Sequence, residues 1–254
     1  MHRILTIALA LGAGSAWAGD CDHERQLDES LDLSGASVLA IAAAAGSLDI
    51  EGKPGLSAAR VVARLCASSA DLLEETDVLL EPGSDARIAV VTPDTSGGFF
   101  SGNRYAYVDL EIEVPEDMPL DVKDSSGGID IENVAALTLQ DSSGGIDITG
   151  VAGPLEISDS SGDIEIEDVE GDVHIRNDSS GSMSGQDIAG SVLVSRDSSG
   201  SIDFEDVEGD VIVEKDSSGS ISVENVGGDF RVLKDGSGGI RHRNVTGTVE
   251  IPDD

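Results

Sequence analysis

The sequence predicts an all-β protein that folds as a right-handed parallel β-helix, a solenoid with coils of about 19 residues. The first observation is a tetrad, Asp-Ser-Ser-Gly, which starts at Asp124, Asp141, Asp159, Asp178, Asp197 and Asp216, with an Asp-Gly-Ser-Gly variant at Asp235. The second is the spacing, because the tetrads start 17 residues apart (124 to 141), then 18 (141 to 159), then 19. The third is the alternation of apolar and acidic residues between tetrads. A fixed repeat of this kind is typical of a solenoid.

The repeat that begins at Ile202 shows how one coil is built. Ile202 and Phe204 alternate with acidic residues, as in a half-buried strand. The residue types of Glu208 to Asp210 predict a turn. Val211 and Val213 then predict a second strand before the next tetrad. Each coil is therefore expected to contain two short strands and two or three corners.

Equivalent positions of successive repeats carry similar apolar residues. One column is Ile164, Met183, Ile202, Ile221 and Ile240, and another is Val173, Val192, Val211 and Phe230. Two-residue hairpins would instead favour Asn-Gly or Asp-Gly between the strands. Stacking of like on like, about 4.8 Å apart, indicates parallel coils, and parallel crossovers are right-handed by default.

The chain is expected to divide into a signal peptide (1–18), an N-terminal extension (19–38), an irregular β-rich start of the solenoid (39–123) and the regular solenoid with a C-terminal cap (124–254). In the irregular part, "AGSLDIEG" (Ala45 to Gly52) resembles a degenerate coil. The segments "ARIAVVTP" and "YAYVDLEIEVP" predict longer strands, and Ser69 can start a short helical turn. The last coil reads "IRHRNV", so Arg241 and Arg243 are expected to form a charged cap beside Ser222 and Glu224.

The N-terminus predicts export. The segment "MHRILTIALALGAGSAWA" has a basic start, an apolar run and a small-residue ending, so cleavage is expected after Ala18. No later segment is long and apolar enough to span a membrane. We therefore expect a soluble periplasmic or extracellular protein. Such a compartment favours a disulfide between Cys21 and Cys66, while two unrelated thiols are the alternative.

The formal net charge of -35 limits the classes of partner. Nucleic acids and anionic membranes would be repelled, whereas cations and basic protein surfaces would be attracted. The outer face of the first strand is a candidate surface, with acids at Asp130, Glu132, Glu165, Glu167, Asp203, Glu205 and Glu224. A solvated face that only maintains solubility is the alternative explanation.

The tetrad aspartates have two interpretations. Each Asp can form an Asx-turn by accepting a backbone N–H from two residues further on, with the glycine supplying a positive φ. In that interpretation Arg196, Lys215 and Lys234, which precede the tetrads, offset the negative charge. Alternatively, the column could hold calcium between coils, through Asp159, Asp178, Asp197, Asp216 and Asp235.

We expect no enzymatic activity, because the acids are periodic and the tetrad serines have no histidine beside them in sequence that could act as a base, His174 being isolated. A polysaccharide-active β-helix is kept as an alternative. His242 lacks a His or Cys neighbour in sequence that would make a metal site. Phe99 and Phe100, in a glycine-rich loop, are candidates for partner contact or for covering the first coil.

The stretch "DSSGSIDFEDVEGDVIVEKDSSG", with "AGSLDIEG" and "YVDLEIEVPEDMPLDVKDSSGGIDI", resembles the bacterial DUF4097 family of adhesin-like, toast-rack proteins, over roughly Leu39 to Glu250. The resemblance implies a β-helical fold and an extracytoplasmic or membrane-associated location, with no agreed activity. Taken together, the sequence predicts an exported, non-catalytic solenoid that serves as a scaffold or interaction surface and requires no cofactor, with a calcium-binding module as the alternative.

Overall fold

The computed structural model describes residues 21–95 and 104–252. The part before the repeats contains β1 (His23–Asp32), β2 (Leu39–Ala42), β3 (Leu48–Lys53), β4 (Ala58–Ala67), α1 (Ala70–Glu75), β5 (Asp77–Glu81), β6 (Arg87–Val91) and β7 (Ala106–Pro115). The next strands are β8 (Pro119–Lys123), β9 (Ile129–Val134), β10 (Ala136–Gln140), β11 (Ile146–Val151), β12 (Leu155–Ser158), β13 (Ile164–Val169), β14 (Val173–Asn177) and β15 (Met183–Ile188). The last are β16 (Val192–Val194), β17 (Ile202–Val207), β18 (Val211–Val213), β19 (Ile221–Val226), β20 (Phe230–Val232), β21 (Ile240–Val245) and β22 (Val249–Glu250).

The strands form two sheets of eleven, between which the chain alternates in the repeat region. Sheet A has the order β1-β4-β7-β3-β9-β11-β13-β15-β17-β19-β21, and sheet B has the order β22-β20-β18-β16-β14-β12-β10-β8-β2-β6-β5. From β8 onward each strand pairs in parallel with the strand two places further along the chain. The chain therefore winds as a parallel β-solenoid, which confirms the predicted fold class.

The predicted columns are confirmed by the register of the strands. Met183 pairs with Ile202, which in turn pairs with Ile221, and Val211 pairs with Phe230. These side chains lie in one continuous apolar core that runs the length of the solenoid. A coil buries too little apolar area to offset the entropy of ordering it alone, so stability comes from contacts with the coils on either side.

A further corner lies within each sheet A strand of the repeats and was not predicted as a distinct backbone feature. Its residue has a φ of 54–57° in the left-handed region at Asn133, Asp168, Asp187, Asp206, Asn225 and Asn244, and in β11 the position is taken by Gly150 with a φ of 75°. Asn and Asp tolerate this conformation better than other non-glycine residues. The bend lets the following apolar residue, such as Val207, turn back into the core.

Glycine at the tetrad corner is required by both backbone angle and space. Gly144 has a φ of 141°, and a Cβ atom there would lie 2.6 Å from the carbonyl carbon of Gly127 in the neighbouring coil. Gly145, the next residue, has no such constraint, because a Cβ atom would meet nothing within 4 Å. The predicted role of the tetrad glycine in supplying a positive φ is confirmed.

The irregular part contains a coil that is out of chain order. Strand β3 pairs in parallel with both β7 and β9, with Leu48 opposite Leu110 and Ile129. In sheet B, β2 lies between β6 and β8. The prediction that "AGSLDIEG" forms a degenerate coil is therefore confirmed. Both predicted strands are present, but only β7, with 10 residues, is longer than the repeat strands, since β6 has 5.

The N-terminal end of the solenoid is antiparallel. Strand β4 pairs antiparallel with β1 and β7, and β5 pairs antiparallel with β6. Ser69 caps α1 by accepting a hydrogen bond from the Leu72 N–H at 3.3 Å, so the predicted helical turn is confirmed. Strand β1 was not predicted, because its residues are mostly exposed and charged and show no apolar alternation.

The C-terminal coil carries the predicted cations. Arg241 and Arg243 pair with Ser222 and Glu224 of the preceding coil, and the Arg243 guanidinium forms an ion pair with Glu224. The His242 ring lies 6.2 Å from the ring of Phe230, centroid to centroid. The last coil therefore carries charged and aromatic side chains at the predicted positions, and its role as a cap stays a prediction.

Candidate functional site

Six tetrad aspartates are buried inside the solenoid and are stacked in register. We call this set the aspartate ladder: Asp124, Asp141, Asp159, Asp178, Asp197 and Asp216, whose exposed fractions lie between 0% and 7%. The backbone keeps the stack regular, because the N–H of each Asp donates to the carbonyl one residue before the next tetrad. For Asp197 the acceptor is the Lys215 oxygen at 2.8 Å.

Each aspartate in the second half of the ladder forms the predicted Asx-turn. Oδ1 of Asp178, Asp197 and Asp216 accepts the N–H of the serine two residues later, at 3.2, 3.2 and 3.0 Å. The other carboxylate oxygen of these residues has no hydrogen-bond partner. In Asp124, Asp141 and Asp159 neither oxygen forms a hydrogen bond of good geometry, although the N–H groups of the two following serines partly offset the effect of burial on the pKa. Nine buried oxygens in the ladder thus lack a hydrogen bond of good geometry among the described residues.

Burial raises the pKa of every carboxyl group in the ladder, and negative neighbours add to the effect for most of them. The pKa of Asp197 rises to about 7, because burial disfavours its charge and the carboxylates of Asp216 and Asp178 repel it. Burial raises the pKa of Asp124 and of Asp178 to about 6. The titrations of Asp197 and Asp216, which lie in successive coils, are linked, because the charge of one disfavours the charge of the other.

The expected charge compensation by neighbouring cations is wrong. Arg196, Lys215 and Lys234 are exposed, and in the part of the chain that the structure describes none of them forms an ion pair with the ladder. The reason is the direction of the side chains at the corner. The residue before each tetrad points to solvent, whereas the Asp that follows points inward.

The calcium interpretation stays a prediction. Asp235, the last residue of the proposed column, lies in the variant tetrad and is only partly buried. Among residues 21–95 and 104–252, no three His, Cys, Asp or Glu side chains are grouped so that they could hold a metal ion. The unpartnered oxygens of the ladder are the feature that calcium would use, together with serine and carbonyl oxygens.

A second concentration of charge lies on the outer side of sheet A. The acidic face, as we define it, consists of two adjacent columns in register, Glu111, Asp49, Asp130, Asp147 and Glu165, and Glu113, Glu51, Glu132 and Glu167, the second of which is interrupted by Thr149 between Glu132 and Glu167. Two cations contact the face: Lys53 forms an ion pair with Glu51 in the second column, and Arg60 of β4 lies 3.7 Å from Glu113 at the edge. Burial and the charges of Asp130, Glu111 and Glu132 raise the pKa of Asp49. Of the acids predicted for this surface, Asp203, Glu205 and Glu224 lie further along the same two rows, beyond a coil that carries Ser184 and Gln186 at these positions.

The two cysteines are joined at the antiparallel end. A disulfide connects Cys21 and Cys66, with their Cα atoms 5.6 Å apart. The Tyr107 hydroxyl lies 3.6 Å from Cys21 Sγ. The disulfide fixes the chain just before β1 to the buried strand β4. Phe99 and Phe100 lie outside the described residues, as does the predicted leader.

Sequence reasoning missed one contact between a histidine and a serine. His174 Nε2 lies 3.0 Å from Ser195 Oγ on the outer side of sheet B, one coil apart. Glu156, the neighbour of His174 in the preceding coil, is held by two hydrogen bonds from Arg176. The carboxylate that would orient the imidazole in a catalytic triad is thus engaged elsewhere. The contact could not be found from sequence because it depends on the register between coils.

Comparison with known proteins finds solved structures that are similar at low sequence identity. No protein-family model and no curated protein sequence matches the chain. A solved structure from Bacteroides fragilis NCTC 9343, provisionally named an adhesin, is similar at 13% identity and a TM-score of 0.42, over 92% of this chain and 100% of that one. A structure from Parabacteroides distasonis ATCC 8503, provisionally named a lipid-binding protein, has 15% identity and a TM-score of 0.42, covering 90% and 97%. A provisionally named cell adhesion protein from Clostridium sporogenes ATCC 15579 has 12% identity and a TM-score of 0.32, covering 90% and 99%. Within the described residues, no helix is long and apolar enough to cross a membrane.

Proposed function

We propose that the protein is an exported, non-catalytic β-solenoid that works as a rigid scaffold and binds a basic partner through the acidic face of sheet A. The observation that carries the proposal is the in-register pair of carboxylate columns on that face. Affiliation with the DUF4097 family is part of the same proposal, supported by the repeat motifs quoted above and by the solenoid fold. The predicted leader and the disulfide support export, since disulfides persist in oxidising compartments.

The arrangement of the acids favours binding over simple solubility. Neighbouring carboxylates about 4.8 Å apart repel by about 0.9 kcal/mol per pair even at the dielectric constant of water. Scattering the same charges over the surface would give equal solubility with less repulsion. The raised pKa of Asp49 and of Asp130, each caused by burial and by neighbouring carboxylates, reflects this crowding. A basic surface laid on the face would relieve the repulsion and gain the attraction of both columns.

The face is also suited in shape to a macromolecular partner. Its residues belong to β3, β7, β9, β11 and β13, which are backbone-paired and packed on the continuous core, so the charges have fixed spacing. A partner with cations at a similar spacing would bind without ordering this surface first, which lowers the entropic cost of association.

The test compares two double variants that remove the same number of charges. Asp130→Asn with Glu132→Gln alters the acidic face, while Glu116→Gln with Asp117→Asn removes two exposed acids from the turn between β7 and β8. Binding of poly-L-lysine would be measured by calorimetry at low and at physiological salt. At about 0.7 kcal/mol for each lost ion pair, the face variant is expected to bind about tenfold more weakly than the turn variant.

Equal affinity of the two double variants would show that binding reflects total charge alone, and the proposed function would fail. Thermal melts of both variants serve as the folding control, since each change is at an exposed position.

A further inference from the structure

The aspartate ladder is a row of buried acids without cations. Its six side chains are at most 7% exposed, and nine of their twelve carboxylate oxygens have no hydrogen bond of good geometry among the described residues. An isolated carboxylate in such a place is costly to keep ionised, and a group so buried commonly takes up a proton instead. The aspartate ladder is therefore expected to bind a positively charged ligand that is small enough to enter the tetrad corner.

The geometry of the corner favours the smallest such ligand. The glycines stack so closely that a single Cβ atom would overlap the neighbouring coil, as at Gly144 and Gly200. Asp197 and Asp216 are stacked in successive coils, and both side chains are buried. Only one Asp comes from each coil, and no cluster of three or more ligating side chains was found in the described residues. A shared proton satisfies two facing carboxyl groups without further ligands.

We propose that the aspartate ladder is a proton-binding site, in which buried carboxyl groups of successive coils hold and share protons at pH values close to neutrality. The bound protons stabilise the fold, so the solenoid is expected to become more stable as the pH falls from about 8 toward about 5. This inference goes beyond the proposed function, because the ladder lies inside the tetrad corner and the acidic face lies outside sheet A.

The charged groups around the ladder favour protonation of its carboxylates over neutralisation by nearby cations. Asp163 adds negative charge near Asp178, and Asp235 does the same for Asp216. The serine N–H groups of the Asx-turns are the donors on the corner side, and they lower the pKa only in part. The cations that precede the tetrads, which are Lys123, Arg196, Lys215 and Lys234, are exposed on the solvent side.

The sign of the pH dependence follows from the raised pKa values. In the unfolded chain the aspartates titrate near their ordinary pKa of 3.8, whereas in the folded protein the pKa is about 6 for Asp124 and Asp178 and about 7 for Asp197. Between these values the folded state binds more protons than the unfolded state. The stabilisation is complete below about pH 4 and is lost as the pH rises through about 6 to 7.

The experiment measures the unfolding equilibrium of the full chain in urea from pH 5 to pH 8.5, together with proton release on unfolding in weakly buffered solution. One proton difference changes the unfolding constant tenfold per pH unit. We expect the equilibrium constant of unfolding to rise at least tenfold per pH unit between pH 6 and pH 7. We also expect unfolding at pH 6 to release at least one proton per molecule. Because the molecule has a net charge of -35, surface repulsion could mimic part of this trend. The series is therefore repeated in 1 M NaCl, which screens exposed charges but hardly affects buried ones.

Two isosteric variants distinguish the effect of ladder protonation on stability from the effect of the protein's overall negative charge. Asp197→Asn keeps the oxygen that accepts from the Ser199 N–H and removes the ionisable group, whereas Asp203→Asn removes one exposed charge from the same coil. We expect Asp197→Asn to flatten the pH dependence between pH 6 and pH 8, and Asp203→Asn to retain the wild-type slope. An infrared band of protonated carboxyl groups at pH 6, reduced in Asp197→Asn, would support the proposal.

The proposal is overturned if the wild type releases no proton on unfolding at pH 6, or if the pH dependence disappears in 1 M NaCl. It is also overturned if millimolar calcium stabilises the wild type at pH 8 and Asp197→Asn abolishes that effect, since the ladder would then be a metal site. The proton-release measurement needs only the wild-type chain, so it remains decisive even if the variant does not fold.

Discussion

Replacing Gly144 by alanine tests whether the tetrad corner is closed by backbone contact. The added Cβ would lie 2.6 Å from the Gly127 carbonyl carbon and still closer to its oxygen. A non-glycine residue at a φ of 141° costs about 1–3 kcal/mol in backbone strain. Moving the coils apart to an ordinary contact distance would break the hydrogen bond from Gly127 N–H to the Ser143 oxygen, 3.1 Å long, at about 1–3 kcal/mol. The expected loss in the free energy of unfolding is therefore about 2–6 kcal/mol.

The adjacent residue provides a matched control. Gly145→Ala adds the same methyl group in the same corner, where it would meet nothing within 4 Å. Its effect is expected to stay within about 1 kcal/mol of the wild type, including the small gain from a less flexible unfolded chain. Urea unfolding followed by far-ultraviolet circular dichroism measures both, since the only Trp of the chain lies in the predicted leader. If the two variants differ by less than about 1 kcal/mol, the closed-corner explanation is refuted.

Two further predictions concern the core and the disulfide. Phe204→Ala is expected to lower the free energy of unfolding by about 3–5 kcal/mol, because the ring is 2% exposed and fills the space over Gly185, where the neighbouring coil has no side chain. A urea midpoint unchanged from wild type would contradict that packing. The Cys21–Cys66 disulfide joins residues that are 45 apart in sequence. Its reduction is expected to lower the free energy of unfolding by up to about 4 kcal/mol and to lower the melting temperature. The double variant Cys21→Ser with Cys66→Ser should melt at this lower temperature and should not respond to reductant.

The coil register was predictable because it rests on columns of like residues. Met183, Ile202 and Ile221 fall opposite one another as expected, and the strand around Leu48 was identified from its resemblance to a repeat. The insertion of β3 between β7 and β9 was not predictable, since the apolar pattern of a strand does not state which neighbours it pairs with. Strand β1 escaped prediction for a different reason. It lies at the sheet edge, where most of its side chains face solvent and alternation is lost.

The candidate site was predicted in position but not in environment. The Asx-turn of Asp197 followed from its sequence, because the acceptor and donor are only two residues apart. The inward direction of the carboxyl group did not follow, since strand alternation cannot be counted through a corner. That error also produced the wrong assignment of Lys215 as a counter-charge. The sequence did contain a signal for the inward direction of the Asp. The first residue of every tetrad is Asp, whereas the residue before the tetrad varies between coils and is Gln140, Ser158 or Asn177 in three of them. A constant residue beside a variable one indicates a buried position.

The glycine and the aspartate of each tetrad depend on one another. The glycine lets the backbones of successive coils approach closely at the corner, and the carboxyl groups of the neighbouring tetrads are buried there. Desolvation is the largest cause of the raised pKa at Asp197, ahead of repulsion by Asp216 and Asp178. A corner opened by a side chain at the glycine would admit water, lower the pKa of the nearby carboxyl groups and weaken proton binding along with coil stacking. The tetrad is thus repeated as a unit because its bend and its buried acid require the same narrow spacing between coils.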